Sequence, residues 1–548
     1  MKLDDAIQLA IDNVLKEGLT DVDVFSRPFE LDMLKNDKVK ASVVAEIKKS
    51  FNENSIKSLR VTPISYVLVP KKELFDFRKC ALIQPLDELK YLSLVLQIAD
   101  KIEVMRISKS KSNVFSYRLK PQKGYLFDPD YNYTSFREYV SKKSNQKSVN
   151  VVVSCDIANF YDRLNLHRLE CILSSNEKID KKIVSQINEL LLFWSNRDSY
   201  GLPVGSNASR ILAEASLIEV DNYLLSKKII FCRFVDDYRL FANDAATAHH
   251  WLSVLVDKLN QEGLFLNTSK TEIKDVSKIE KNNNEEIQIT TVTVNEESQN
   301  LNADEMLLRN KFNIPKIIRG YSGLIPTKFR KLIAKEETRL LENNIEDLYR
   351  EIEDSVLIEP KAFIEFIKTS VVKKEAEYFV KIIAVLHKFP QFLPYTLDVI
   401  NKHEELFEEQ HIQIITTNLE KWLESNNYPE YILVYLARFF NAGKFKNSKI
   451  LFEYFRTLKR NSGNYIGRAV LEELEKLISR GEVLEIRDYY IRADLWEKRQ
   501  IAKIIDVHIN DGEKRPFFKN ILTQNDDIFL NHLNGFFSKI IKEEESQK

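Results

Sequence analysis

The sequence predicts an α+β fold that is followed by an all-α region, with the change near residue 300. Before that point, apolar runs with strand character alternate with helical spacing. After it, strand-like runs disappear and apolar residues recur only at helical intervals. The predicted strands cover residues 66–69, 149–153, 229–234 and 287–294. The expected architecture is therefore a sheet with helices, and then helices alone.

The second part is predicted to be a series of short amphipathic helices. Phe379, Ile382, Ile383 and Leu386 stand at i, i+3, i+4 and i+7, which places one apolar stripe along a helix. Turn-forming residues such as Pro390 interrupt this spacing repeatedly. Short helices in series are typical of HEAT-like helical repeats, and an irregular helical bundle is the alternative that the sequence leaves open.

The bulk composition is that of a multidomain protein without a disulfide framework. The 548 residues exceed the size of one hydrophobic core, and 44% of them are hydrophobic. Lys plus Arg and Asp plus Glu number 81 each, so net charge gives no information about nucleic-acid binding. The four cysteines are scattered without CxxC spacing, which disfavours structural zinc and fits a reducing cytoplasm. No apolar run approaches the roughly 20 residues that a membrane span needs. We therefore expect a cytoplasmic protein with no membrane partner.

One segment is locally basic although the whole chain is neutral. No acidic residue lies between Glu103 and Asp128, and aromatic Phe115, Tyr117 and Tyr125 are interleaved with the basic residues. Such a run can neutralise phosphates and offer rings on which bases stack. A solvated basic loop is the alternative. The residues predicted to contact nucleic acid are Arg106, Lys109, Lys111, Arg118 and Lys120.

Adjacent carboxylates form the most informative pattern in the chain. Asp236 and Asp237 lie between two apolar runs, so a tight β-hairpin turn is predicted to carry them. Neighbouring carboxylates repel one another unless a cation neutralises them. A third aspartate, Asp156, ends the apolar run that begins at Val149. One aspartate from a strand end and another from a hairpin can hold two Mg²⁺ for nucleotidyl transfer.

These aspartates belong to a set of four segments in a fixed order. The segments are residues 155–162 (CDIANFYD), 201–214 (GLPVGSNASRILAE), 233–237 (RFVDD) and 263–271 (GLFLNTSKT). Each segment alone is a weak signal, because an Asp-Asp pair or a Gly-Pro turn occurs in many proteins. Their order and their strand–helix–hairpin context make the combined signal strong.

In these segments the chain resembles the reverse transcriptase family, with fingers and palm at residues 40–295 and motifs A to D. It is most similar to the bacterial abortive-infection (Abi) and related defence-associated enzymes. Motif B carries Val204 where most reverse transcriptases have glutamine, motif C begins Phe234-Val235, and a long helical region follows. The resemblance implies N-terminal helices and fingers at 1–148, a palm with an antiparallel sheet at 149–300, and an α-helical repeat domain at 301–548.

The resemblance also implies which residues bind metal. Asp156, Ile157, Asp236 and Asp237 are the expected ligands of two Mg²⁺ ions, with Mn²⁺ as a substitute. Asp156 and Asp236 would bridge both ions, and Asp237 would be the weaker ligand or tune the site electrostatically. A merely solvated turn is the alternative for all three aspartates.

Five residues are expected to bind the nucleotide, each with a structural alternative. Tyr161 matches the steric gate that excludes a 2′-hydroxyl, or it packs in the core. Gly205 and Ser206 open a helix whose N-terminus favours anions, or they only form a turn. Arg78 resembles a fingers residue that clamps phosphates, or it is an exposed ion-pair partner. Lys270 matches the motif D lysine that protonates pyrophosphate, or it is a surface lysine.

The Abi-type resemblance implies template-independent, protein-primed synthesis of single-stranded DNA from dNTPs in antiphage defence, with the product attached covalently to the enzyme. The priming hydroxyl stays unknown, because no tyrosine precedes Tyr66. The candidates are Tyr66, Tyr117, Tyr125, Tyr131, Tyr133 and Ser42. The alternatives are an RNA-templated reverse transcriptase that uses a noncoding RNA, and a catalytically silent helical scaffold. A homo-oligomer, either a trimer or a hexamer, is expected.

Overall fold

The computed structural model describes residues 1–52, 59–71, 76–277, 325–425, 428–458, 464–524 and 526–546. The strands are Ser65–Pro70 (β1), Phe77–Leu82 (β2), Leu119–Gln122 (β3), Tyr125–Phe127 (β4), Val151–Asp156 (β5), Phe231–Phe234 (β6), Asp237–Ala242 (β7) and Glu272–Asp275 (β8). The helices that accompany them are Leu3–Glu17 (α1), Glu30–Met33 (α2), Asp37–Asn52 (α3), Pro85–Met105 (α4), Tyr133–Ser144 (α5), Phe160–Arg163 (α6), Leu166–Ser174 (α7), Lys181–Trp194 (α8), Asn207–Ser216 (α9), Ile218–Ser226 (α10) and Ala245–Gln261 (α11). Three predicted strands are confirmed as β1, β5 and β6, and the fourth, 287–294, lies outside the described residues.

The largest sheet has four antiparallel strands in the order β6-β7-β5-β8. Its central strand β5 is buried over its first five residues, as its run of Val151, Val152 and Val153 requires. Helix α4 packs against α1 and α9 and is buried on nearly every face, with Pro85 in its first turn. Two separate hairpins, β1–β2 and β3–β4, flank this core. The predicted sheet with helices is thus present.

The remainder of the described chain is helical, as the apolar spacing predicts. Its helices are Ala334–Leu341 (α12), Ile345–Asp354 (α13), Pro360–Val372 (α14), Ala376–Val385 (α15), Leu393–Lys402 (α16), Glu409–Ser425 (α17), Glu430–Phe439 (α18), Ser448–Thr457 (α19), Ile466–Leu474 (α20), Arg480–Tyr489 (α21), Leu495–His508 (α22), Asp511–Gln524 (α23), Ile528–Leu533 (α24) and Phe536–Ser546 (α25). Phe379, Ile382 and Ile383 are buried on one face of α15, which confirms that stripe. The HEAT-like character of the series stays a prediction.

A buried ion pair and a buried hydrogen bond join the helical region to the N-terminal part of the chain. Glu30 is fully buried and pairs with Arg468 on α20, with an Nη2–Oε2 distance of 3.1 Å. Arg499 on α22 donates to Gln84, just before α4, at 2.6 Å. Breaking a buried ion pair by removing one partner typically costs about 3–5 kcal/mol. These contacts therefore anchor the helical region against the core that carries the sheet.

Within the described ranges, no helix combines the length and the apolar character needed to cross a membrane. The four cysteines are free thiols, and Cys171 is the exposed one.

Candidate active site

The three predicted aspartates lie where two strands meet. Strand β5 ends at Asp156, and its register pairs Asp156 with Asp237, the first residue of β7. Because Phe234 pairs with Asp237, Asp236 lies in the tight turn that connects β6 to β7. Residues directly opposite on antiparallel strands point to the same face of the sheet. The predicted hairpin is present, and it brings Asp237 beside Asp156.

Asp236 and Asp156 interact electrostatically. The pKa of Asp236 is raised to about 7, mainly by burial and secondly by the negative charge of Asp156. Arg78, on β2, acts in the opposite direction on the same carboxyl group. A divalent cation would favour the ionised form of both aspartates, so this pair has the donor chemistry that Mg²⁺ or Mn²⁺ requires.

Asp237, predicted as the weaker ligand or as an electrostatic tuner of the site, is hydrogen-bonded to an arginine. Its carboxylate accepts two hydrogen bonds from Arg239, one of them from Nη2 to Oδ2 at 3.1 Å. Burial raises the pKa of Asp237, and the guanidinium of Arg239 opposes that rise. Within the described ranges, no group of three or more His, Cys, Asp or Glu side chains is arranged as a metal site. Asp237 is therefore held by Arg239, and Asp156 lies 3.0 Å from Lys270 Nζ. Metal binding by the aspartates stays a prediction.

Ile157 can contribute to a metal site only through its backbone carbonyl, because its side chain is apolar and buried. Its N–H donates to the carbonyl of Asp236 at 3.2 Å. This hydrogen bond connects the end of β5 directly to the hairpin turn.

The motif D segment is fastened to the end of β5. The N–H of Asn267 donates to the carbonyl of Asp156 at 2.7 Å, and the N–H of Ala158 donates to the carbonyl of Phe265 at 2.8 Å. The Asn267 side chain then caps a short 3₁₀ turn, Thr268–Lys270. This arrangement places Lys270 Nζ 3.0 Å from Asp156 Oδ2. The predicted motif D lysine is therefore at the site.

Basic residues of the β1–β2 hairpin surround the same region. Burial raises the pKa of Asp162, and Lys71, Lys79 and Arg78 act to lower it. Arg78 thus lies within electrostatic range of both Asp162 and Asp236. Lys72, which the sequence places on the same hairpin, lies outside the described residues.

Tyr161 follows Asp156 on the short helix α6. Its side chain is half-buried and packs against the core. Its carbonyl accepts a hydrogen bond from the N–H of Leu202 at 2.9 Å, which joins motif A to motif B. The steric-gate role of Tyr161 stays a prediction.

Gly205 and Ser206 are buried in this conformation and are not exposed to a nucleotide. A Cβ on Gly205, whose φ is +124°, would lie 2.4 Å from Thr20 Oγ1, so glycine is required for both turn and space. The Ser206 hydroxyl accepts from the N–H of Ala208 and donates to Glu88 at 2.7 Å. The turn that the sequence left as an alternative accounts for both residues here.

The predicted nucleic-acid contacts of the basic segment need correction. Arg106 and Arg118 are buried, and both pair with Glu103. Lys109 and Lys120 both pair with Asp128. Lys111 is exposed, and within the described residues it forms no ion pair. Because desolvated or paired cations release few counterions, Arg106 and Arg118 are structural residues.

The hydroxyl groups proposed as primers differ in accessibility. Tyr117 is buried in the core, so it is not available in this conformation. Tyr66 and Tyr131 are half-buried. The ammonium of Lys79 lies over the Tyr66 ring, and the Tyr131 hydroxyl donates to the carbonyl of Lys109. Ser42 is within 3.0 Å of His532 on α24. Tyr125 and Tyr133 are also half-buried.

Sequence reasoning missed Arg239 and the residues beneath the turn. Arg239 could have been found, because residues i and i+2 on a strand share a face and Asp237 is two residues earlier. Ser116 Oγ accepts from the N–H of Val235, and Glu214 accepts from Ser116. Ser116 is 119 positions from Val235 and 98 positions from Glu214 in the chain, so no local pattern indicates these contacts.

A family model matches the part of the chain that carries this site. Residues 92–294 match the model of the family "Reverse transcriptase (RNA-dependent DNA polymerase)". No curated protein matches the sequence. Among solved structures, the chain is similar to telomerase of Candida albicans with a fragment of telomeric RNA, at 14% identity and a TM-score of 0.31, over 74% of this chain and 69% of that chain. A Candida tropicalis telomerase gives 13% identity and a TM-score of 0.31, over 69% and 64% of the two chains. The family match carries the assignment: the chain contains a reverse transcriptase domain, and the protein is a nucleotidyltransferase of the RNA-directed DNA polymerase class.

Proposed function

We propose that the protein polymerises dNTPs into single-stranded DNA without a template, from a hydroxyl group of the protein itself, in bacterial antiphage defence. The observation that carries the nucleotidyl-transfer part is the coupling of Asp156 to Asp236 at the junction of β5 and the β6–β7 turn. Two bound Mg²⁺ ions would activate the attacking hydroxyl and stabilise the leaving pyrophosphate. Asp156, Asp236 and the carbonyl of Ile157 are the groups that would hold them.

The protein's own side chains supply the remaining chemistry. Lys270 would give a proton to the leaving group, and the 3.0 Å contact of its ammonium with Asp156 supports this role. Arg78 provides positive charge on the fingers side of the site, where the triphosphate would approach. Tyr161 is the proposed gate that selects deoxynucleotides.

Template independence is supported by the environment of Val204. This residue replaces the polar glutamine common in the family, and its apolar side chain is buried. Its carbonyl accepts from the N–H of Ala81 at 3.0 Å, so motif B is fixed to β2. A buried apolar side chain offers no hydrogen bond to a template base, which favours untemplated addition.

RNA-templated synthesis with a noncoding RNA is the second candidate, and the description of the matching family favours it. The test is incorporation by the purified full-length protein with each dNTP alone and with Mg²⁺ or Mn²⁺, with and without added RNA. Homopolymeric or random DNA made without RNA supports the first proposal. Products that appear only with RNA, and that copy its sequence, support the second.

The same assay tests attachment and catalysis. Protease digestion and mass spectrometry should identify a peptide that carries the first nucleotide. Asp236→Asn should abolish incorporation, whereas Asp257→Asn, an exposed aspartate on α11, should not. Full activity of Asp236→Asn would overturn the metal assignment. The proposed trimer or hexamer is checked by the mass of the protein in solution.

A further inference from the structure

The turn that carries Asp236 has an unfavourable backbone conformation. Val235 adopts φ = +57°, in the left-handed region. β-Branched residues avoid this region, because the branched side chain crowds the backbone. Such a conformation is unfavourable and persists only where surrounding contacts impose it. The contacts that hold Val235 are therefore informative about the site.

Two side chains from beneath the turn bind both backbone groups of Val235. The N–H of Val235 donates to Ser116 Oγ at 2.9 Å. The carbonyl of Val235 accepts from Arg233 Nη1 at 3.0 Å. Ser116 and Arg233 are both completely buried. The peptide groups on either side of Val235 are thus fixed by side chains that water does not reach.

A buried, charge-balanced network fixes these two side chains in turn. The Ser116 hydroxyl donates to Glu214 Oε1, and Arg233 Nη2 lies 2.9 Å from Glu214 Oε2. Arg233 also donates to both oxygens of Asp221, at 2.9 and 2.7 Å. Burial alone would raise the pKa of Glu214, but Arg233 and Arg106 lower it, so Glu214 is ionised.

The chain around Ser116 is itself attached to the catalytic hairpin. The N–H of Arg233 donates to the carbonyl of Asn113 at 2.7 Å, and the N–H of Phe115 donates to the carbonyl of Arg233 at 3.0 Å. This parallel bridge places the segment beside β6. Ser116 is therefore held from both its backbone and its hydroxyl, with little freedom to move away from the turn.

We propose that Ser116 is a positioning residue. Its hydroxyl connects the buried Glu214–Arg233 pair to the turn, and this connection directs the Asp236 carboxylate toward Asp156. The inference depends on the proposed function, in which Asp236 binds metal. Ser116 is completely buried, so it would touch neither nucleotide nor metal. Its loss should therefore change the geometry of the site rather than the binding of the nucleotide.

The test compares Ser116→Ala, Ser116→Cys and Ser116→Thr in the full-length protein. The matched control is Ser370→Ala, because Ser370 is also completely buried and its hydroxyl donates within its own helix, to Phe366 O at 2.9 Å. We expect Ser116→Ala to lower kcat about tenfold, the effect of losing roughly one hydrogen bond in the transition state, with the KM for dNTP little changed. Ser116→Thr, which keeps the hydroxyl, should recover most of kcat. Cysteine, a weak hydrogen-bonding group of similar size, should give an intermediate value.

A second measurement does not depend on turnover. Mn²⁺ binding, followed by electron paramagnetic resonance, should be weaker in Ser116→Ala than in the wild type and unchanged in Ser370→Ala. If the wild type binds Mn²⁺ but incorporates no dNTP, the proposed function fails while the Mn²⁺ comparison still decides the role of Ser116. The proposal would be overturned if folded Ser116→Ala had the same kcat and the same Mn²⁺ affinity as the wild type. It would also be overturned if the wild-type protein bound no Mn²⁺. If Ser116→Ala does not fold, the role of Ser116 is decided by comparing kcat and Mn²⁺ affinity between Ser116→Cys and Ser116→Thr.

Discussion

Lys270 donates a hydrogen bond to Asp156 over 3.0 Å, although the two residues are 114 positions apart in the chain. The contact exists because the backbone of Asn267 is hydrogen-bonded to the last residue of β5, which leaves Lys270 only one short turn away. An ammonium group beside a catalytic carboxylate can neutralise charge or deliver a proton. The position therefore makes Lys270 the strongest candidate for a general acid in the proposed reaction.

Lys270→Ala should lower kcat about 100-fold, the usual contribution of a positioned general acid, with a smaller effect on the KM for dNTP. Lys270→Arg should recover little of this loss, because a guanidinium group does not give up its proton. Single-turnover incorporation across a pH series measures the effect. Lys274→Ala, in the adjoining strand β8, is the control. Unchanged kcat in Lys270→Ala would show that the lysine only neutralises Asp156.

Local patterns were sufficient to predict the elements that carry the aspartates. The apolar run before Asp156 and the hairpin around Asp236 depend on residues that are adjacent in sequence, so strand propensity and turn position indicate them directly. The spacing of Phe379, Ile382 and Ile383 likewise predicts a buried helical face, because a helix face is a local property.

Local patterns could not predict that most charges of the basic segment are paired or buried. Its charges are neutralised largely by Glu103 and Asp128, the two acidic residues that bound it in sequence. The chain folds back over these 25 positions through the β3–β4 hairpin, and Arg106 also forms an ion pair with the distant Glu214. Composition reports which charges are present, whereas burial and pairing decide whether those charges are available to nucleic acid.

Asp237 and Asp236 should respond differently to the same substitution. Asp237→Asn should lower kcat about tenfold, equivalent to about 1.4 kcal/mol, because its carboxylate is already hydrogen-bonded to Arg239. Asp236→Asn should abolish incorporation. Arg239→Gln should resemble Asp237→Asn, and the double variant should be no worse than either single variant if the two residues act as a pair. Equal, complete loss in both aspartate variants would instead indicate three equivalent ligands.

Tyr161→Ala should weaken discrimination against ribonucleotides. If the ring lies under the sugar, its removal should raise the ratio of kcat/KM for rNTP to that for dNTP by about 10- to 200-fold, the range for one steric contact in a pocket. Tyr161→Phe keeps the ring and should keep the selectivity. The measurement is competitive incorporation of labelled rNTP and dNTP by the purified protein. Unchanged selectivity in Tyr161→Ala, with the fold intact, would assign the ring to core packing.

Glu88 should make the stability of the fold depend on pH. Burial raises its pKa from the ordinary 4.5 to about 8, against the opposing effects of the Ser206 hydroxyl and Arg210. The folded protein therefore retains a proton that the unfolded chain has lost between about pH 4.5 and 8. In that window the free energy of unfolding should fall as the pH rises, by up to about 1.4 kcal/mol per pH unit for one proton.

Glu88→Gln removes this titration while it keeps the shape of the side chain and a carbonyl that can accept from Ser206. Urea unfolding at a series of pH values should show that the wild type loses stability relative to Glu88→Gln from pH 4.5 to 8, and that the two curves run parallel above pH 8. Glu337→Gln, an exposed position on α12, is the control and should follow the wild type. Parallel curves across the whole range would mean that Glu88 is ionised in the folded protein throughout. Arg210 would then lower the pKa of Glu88 by more than burial raises it.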